Sequence, residues 1–166
     1  AGWILATVDN VARVWDARTR ALHLELRGHE RTIVSCSVSR DGRMIATASR
    51  DGTTKVWSTA SGALLFTFGG EDYSFMWDCA FSPCGTKLLT TCSDGHVTAF
   101  AIIWDVNTGR CLQRLGESSD DGDDDEPTSI PDPVCCAWSP TETDIVAVDG
   151  QENDVVLWNV DTGKAV

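Results

Sequence analysis

Four stretches of this chain fall on one template, and each runs into a strand that ends in Trp: Val14-Trp15-Asp16, Val56-Trp57-Ser58, Ile103-Trp104-Asp105 and Leu157-Trp158-Asn159. The tryptophans are separated by 42, 47 and 54 residues. An Asp-containing turn comes before each of them, and a short turn of the Thr-Gly, Ser-Gly or Thr-Arg kind follows. Repetition at this period decides the architecture before any local assignment is made. A chain built from one supersecondary unit used four times offers repeated surface rather than a single chemical centre.

The second unit is the most regular. Gly28-His29 opens it, followed by a strand from Thr32 to Val38, the turn Ser39-Arg40-Asp41-Gly42, a strand from Met44 to Ser49 and the turn Asp51-Gly52. Strands from Thr54 to Ser58 and from Leu64 to Phe68 complete it around Ala60-Ser61-Gly62. Asp-Gly between β-branched runs is a strong hairpin signal, because Gly accepts positive φ. Four short strands on tight turns make an antiparallel meander, so the expected fold class is all-β.

The domain reading is a single segment: a partial unit over 1–27, full units over 28–68 and 69–115, an acidic loop over 116–133, and a unit over 134–166 lacking most of its last strand. The third unit has four extra residues between Asp94 and Trp104, compared with Asp51 to Trp57, so a bulge or longer hairpin is expected there. Both ends cut through the repeat, which reads as a segment of a longer, incomplete ring.

Net charge is −12, and seven of the negative charges lie in Glu117–Glu126 with no Lys or Arg among them. Phosphate binding needs clustered basic residues, so nucleic acid is not expected as a direct ligand. No apolar run approaches the roughly 20 residues of a membrane span. Cys36, Cys79 and Cys136 share one strand position, two residues before Val38, Phe81 and Trp138, and are read as small core residues. The seven cysteines form no CxxC pair, so neither a metal nor another cofactor is expected. Their odd number and placement favour an intracellular, cytoplasmic setting, with the nucleus also open.

Gly28-His29, then Asp51, Val56 and Trp57, with Trp-Asp at 15–16 and 104–105, resembles the WD-repeat β-propeller family over nearly the whole chain. Gly69-Gly70 and Gly116-Glu117 depart from the Gly-His pattern, and Trp57 and Trp158 lack the following Asp. The resemblance implies a ring of about seven blades, within the roughly 4–8 of propellers generally. This chain supplies a little over three and a half. It also implies a structural tetrad of His29, Ser49, Asp51 and Trp57, with indole, hydroxyl, imidazole and carboxylate linked in series.

His29, Ser49 and Asp51 are also the residue types of a hydrolase triad, which makes serine hydrolysis a rival reading. A nucleophilic Ser requires exposure on a strained turn, whereas Ser49 ends a strand. The resemblance further implies a non-catalytic scaffold that binds a protein or peptide on its top face, within a multi-protein complex. A substrate-receptor subunit of a larger assembly, such as a ubiquitin ligase, is the alternative.

By position, partner-binding candidates are Thr32, Val34, Phe75, Trp77, Asp132 and Val134 at the starts of first strands. Arg50, Ser93 and Gln151, before the turn acids, join them. Period-two alternation carries the line of Cys79 and Phe81 out through Trp77 to Phe75 at the strand end, where aromatics make binding anchors. In the acidic run, Ser118 and Ser119 precede Asp120 and Asp121 and are candidate phosphorylation sites.

Overall fold

The computed structural model describes residues 2–70, 73–93, 99–116, 135–140, 145–149 and 155–166, and the regular structure in them is β-strand throughout. Strands β1 (Trp3–Val8), β2 (Val11–Asp16) and β3 (Leu22–Arg27) form the first sheet. Strands β4 (Ile33–Val38), β5 (Met44–Ser49), β6 (Thr53–Ser58) and β7 (Leu64–Gly69) form the second. The third holds β8 (Phe75–Phe81), β9 (Lys87–Ser93), β10 (Ala99–Asp105) and β11 (Cys111–Leu115). The last holds β12 (Cys135–Trp138), β13 (Ile145–Asp149) and β14 (Val155–Asn159), with one further bridge between Trp158 and Ala165. Each sheet is an antiparallel meander in chain order.

The sheets stack face to face, and alternation sends successive residues of one strand into different cores. Ile45 and Trp57 pack with Ala12, Val14 and Leu26 of the first sheet. Ala46, Ala48 and Phe68 look the other way, toward Met76, Leu88 and Trp104 of the third. Leu89, Ala101 and Ile103 meet Val146, Val148 and Trp158 of the fourth. The middle strands therefore need small or branched residues on both faces, which the Ala-Thr-Ala of β5 and the Leu-Leu-Thr-Thr of β9 provide. First strands β4, β8 and β12 pack side by side. The sheets are not closed into a ring, and Ile4, Val8 and Leu22 on the first sheet and Val155 and Leu157 on the last remain exposed.

One register feature corrects the sequence expectation, and a second decides between the bulge and the longer hairpin expected in the third unit in favour of the hairpin. The ladder between β8 and β9 slips at Trp77, between Met76 and Asp78, as β4 and β5 slip at Val34. This bulge breaks the period-two line: Met76, fully buried, continues the row of Cys79 and Phe81, while Phe75 and Trp77 stay half-buried with rings 6.0 Å apart. The extra residues of the third unit lengthen the β9–β10 ladder to seven pairs, against five between β5 and β6. No slip occurs in that ladder; the irregularity before Trp104 also precedes Trp15 and Trp57. Residues 94–98 lie outside the described residues.

The residue after three of the four repeat tryptophans, Trp15, Trp104 and Trp158, has a local task. Asp16 Oδ1 accepts from the Arg18 and Thr19 N–H groups at 2.8 and 2.7 Å, and Asp105 Oδ1 from Asn107 and Thr108 at 2.9 and 2.7 Å. Those backbone donors, Thr19 and Thr108 foremost, hold both carboxyls below the usual carboxylate range. Asn159 makes the same turn with the Asp161 and Thr162 N–H groups, so the departure from Trp-Asp there costs the fold nothing in hydrogen bonds.

Candidate functional site

The network expected at the second blade forms with one member exchanged. Trp57 Nε1–H donates to Thr47 Oγ1 at 2.9 Å, and Thr47 Oγ1 lies 2.8 Å from His29 Nε2. His29 Nδ1 lies 2.8 Å from Asp51 Oδ2. A carboxylate only accepts, so Nδ1 carries the proton and Nε2 receives the Thr47 hydroxyl hydrogen. Ser49, expected to supply the hydroxyl, instead donates to the Arg31 carbonyl at 2.9 Å and accepts the Asp51 N–H at 3.2 Å. Pairing geometry explains the exchange. Trp57 stands opposite Ile45, so Thr47 is its diagonal neighbour about 7 Å away, and Ser49 lies two residues further. Ser49 is fully buried and bonded to backbone on both sides, so His29, Ser49 and Asp51 do not assemble a nucleophilic triad.

The same diagonal recurs. Trp104, opposite Leu88, donates to Thr90 Oγ1 at 2.9 Å. In the last sheet Trp158 stands opposite Val146, which puts Val148 at the hydroxyl position, and the buried Trp158 Nε1 has no partner among the described residues. Val148→Thr should supply that acceptor and hold or raise stability by up to about 1 kcal/mol, where the same change at an ordinary core valine destabilises. Urea midpoints of the two proteins check it, and a loss above about 1 kcal/mol would contradict the register argument.

Burial lowers the His29 pKa from its usual 6.5, although Asp51 opposes the shift. Burial alone would raise the Asp51 carboxyl, yet the hydrogen bonds from Thr53, Glu30 and His29 outweigh it and hold the group low. Both folded values are depressed, so the unfolded chain binds the extra protons. The His29 contribution is present above pH 6.5 and is lost as pH falls toward the lowered folded value; the Asp51 contribution is lost only below 3.8. His29→Gln should therefore flatten the fall in stability as pH drops below 6.5. Denaturation midpoints across that range test this, and equal slopes for both proteins would exclude it.

The three cysteines of the first strands surround a carboxylate that sequence reading missed. Asp78 Oδ1 accepts the Ser35 hydroxyl of β4 and the Cys79 N–H, and Oδ2 accepts the Cys136 N–H of β12 at 2.8 Å. One side chain thus ties three adjacent sheets. Burial first, and the Asp78 charge second, push the Cys36, Cys79 and Cys136 thiols up, so they stay protonated. Cys79 and Cys136 pack in the cores, while Cys36 is half-buried.

At the end where the first strands begin, a cleft of about 430 Å³ opens between the second and third sheets. Arg31, Arg50, Tyr73, Ser74 and Phe75 line it with Glu30 and Asp51. Two of its members, Arg50 and Phe75, were expected from the sequence, and Trp77 packs against Phe75 from outside it. Thr32 and Ser93 support it through backbone: Thr32 O accepts the Arg50 N–H at 3.0 Å, and Ser93 O accepts the Ser74 N–H at 2.9 Å. Val34 stands apart, at the β4 bulge. Ser49 joins the Arg31 carbonyl to the Asp51 amide and so fixes the two arginine-bearing loops together. Gly52 has φ 78°, and a Cβ there would stand 2.1 Å from the Tyr73 carbonyl, so only Gly lets the rim loop close. Asp132, Val134, Gln151 and the acidic run with Ser118 and Ser119 lie outside the described residues.

The sheets and their tetrad hydrogen bonds define the class, a repeat propeller with four-stranded blades, and comparison with known proteins places it. The family model described as "WD domain, G-beta repeat" matches residues 21–58 and 62–100. The chain is 32% identical over 157 residues to apoptotic protease-activating factor 1 of Homo sapiens, covering 95% of this chain and 12% of that protein. It is 40% identical over 87 residues to F-box/WD repeat-containing protein 4 of Homo sapiens, covering 50% of this chain and 20% of that protein. A propeller chain in the crystal structure of the mitotic checkpoint complex superposes with TM-score 0.74 at 17% identity, over 98% of this chain and 46% of that one. The chain is a partial WD-repeat propeller. It spans about an eighth of the length of apoptotic protease-activating factor 1.

Proposed function

We propose that this chain is a non-catalytic protein-interaction segment that receives a protein or peptide in the cleft at the seam of the second and third blades. The observation that carries this is the cleft's makeup: exposed Arg31 and Arg50 beside Tyr73 and Phe75, on loops fixed by Ser49 and Gly52. Arginine and aromatic side chains on rigid supports are what interaction hot spots are made of. Neither arginine has an ion-pair partner among the described residues. The odd number of cysteines and their placement in strands favour an intracellular complex.

The likeness to an F-box/WD repeat-containing protein favours a second reading, a receptor segment in an assembly whose chemistry other chains perform. Both readings share one test. Partners recovered by affinity purification of the full-length protein are titrated against Phe75→Ala and Trp77→Ala. Binding should weaken by at least about 2 kcal/mol with the melting temperature nearly kept, since Met76 and not these rings fills the core. A lowered melt with unchanged affinity of the folded fraction would remove the cleft from the interface.

A further inference from the structure

A second cleft, about 420 Å³, lies at the opposite end of the first strands, where β4, β8 and β12 finish. Val38, Phe81 and Trp138 form its walls, and the turns beyond them add Arg40, Pro83 and Pro140. The side-chain donors in the lining are already committed. Trp138 Nε1–H donates to the Ala80 carbonyl at 2.8 Å, and the Ser82 hydroxyl donates to the Lys87 carbonyl at 3.1 Å. The backbone N–H of Cys136 goes to Asp78. What remains is an apolar hollow with one cation at its edge, since Arg40 is exposed and has no ion-pair partner among the described residues.

This accounting specifies an occupant. A polar group pushed between Phe81, Pro83 and Trp138 would lose water without gaining a donor, so the inserted group must be apolar. The volume suits an anchor of one large side chain and its neighbours. Arg40 asks for a carboxylate close by, which its guanidinium can hold through two parallel charge-assisted bonds. We infer that this cleft docks a linear peptide of a partner protein, through a large apolar side chain next to an Asp or Glu that pairs with Arg40. It shares no lining residue with the cleft around Phe75, so one chain holds two partners, or two segments of one, at opposite ends of its blades.

The test is a random peptide-display library panned on the full-length protein, with the leading peptides synthesised and titrated. Enriched peptides should carry an apolar residue next to an acidic one. Arg40→Glu should weaken them by at least about ten-fold, the step of one broken charge pair. Ala137→Trp, which fills the cleft from an exposed position, should abolish binding, and Phe75→Ala should leave it unchanged. Arg40 is an exposed turn residue, so Arg40→Glu decides the matter even where Ala137→Trp lowers the melt. Failure to enrich any peptide that still binds the Phe75→Ala protein, or peptides of that kind indifferent to Arg40→Glu, overturns the inference. Self-association that Ala137→Trp removes also overturns it, by assigning the cleft to a second copy. None of these outcomes touches the Phe75 titration, so the two readings fail separately.

Discussion

Trp57→Ala is expected to lower the unfolding free energy of the full-length protein by about 3–5 kcal/mol, the cost of emptying a large buried aromatic site. The ring is only 4% exposed and packs between the first two sheets, so neither sheet can close the gap without leaving the other. Its N–H also anchors the chain of bonds through Thr47 and His29 to Asp51. The identity of the hydroxyl gives a sharper comparison. Thr47→Val keeps the shape but orphans the indole N–H and the imidazole Nε2, about 2–3 kcal/mol together. Ser49→Ala releases the Arg31 carbonyl and the Asp51 N–H at the rim, about 1–2 kcal/mol. Urea midpoints should therefore fall in the order Trp57→Ala, Thr47→Val, Ser49→Ala. A greater loss at Ser49 than at Thr47 would return Ser49 to the network.

The exchange of Ser49 for Thr47 shows what the chain discloses and what it withholds. The Asp51-Gly52 turn, readable at once, sets the pairing of Ala48 with Thr54 and hence of Ile45 with Trp57. From there Thr47 follows as the diagonal neighbour, and Thr90 follows for Trp104 by the same count. The pairing register carries that signal, whereas Ser49 rested on the family resemblance alone. The bulge at Trp77 is different. A bulged residue that is not Gly carries no composition mark, and without the slip Trp77 would have pointed into the core where Met76 sits. The strands themselves were legible because turn chemistry and β-branched runs are local. The cleft around Arg31 was half legible: Arg50 and Phe75 follow from blade equivalence, whereas Tyr73 reaches it through contact with Gly52, in a loop that no period predicts.

Asp78 was illegible for the same reason at longer range, and it carries the second large effect. Its carboxylate accepts from Ser35, 43 residues earlier, and from the Cys136 N–H, 58 residues later. No spacing rule connects three such positions; only the side-by-side packing of β4, β8 and β12 does. Asp78→Ala should cost about 2–4 kcal/mol, because it strands a hydroxyl and two backbone N–H groups at a junction the sheets share. Asp78→Asn should cost less, since its single carbonyl still satisfies one side. The expected signature is spatial as well as energetic. The second and third sheets share an extensive apolar core, including Phe68, Met76 and Trp104, and should remain docked. The last sheet, joined to the third among the described residues by the cluster around Leu89 and Val146 and by the Cys136 and Trp138 N–H groups, should open first. Amide exchange at Cys136 should then accelerate well beyond that at Leu88 or Thr90, where global unfolding governs exchange. Equal acceleration at all three amides would mean that Asp78 stabilises the fold as a whole and does not staple the last blade to its neighbours.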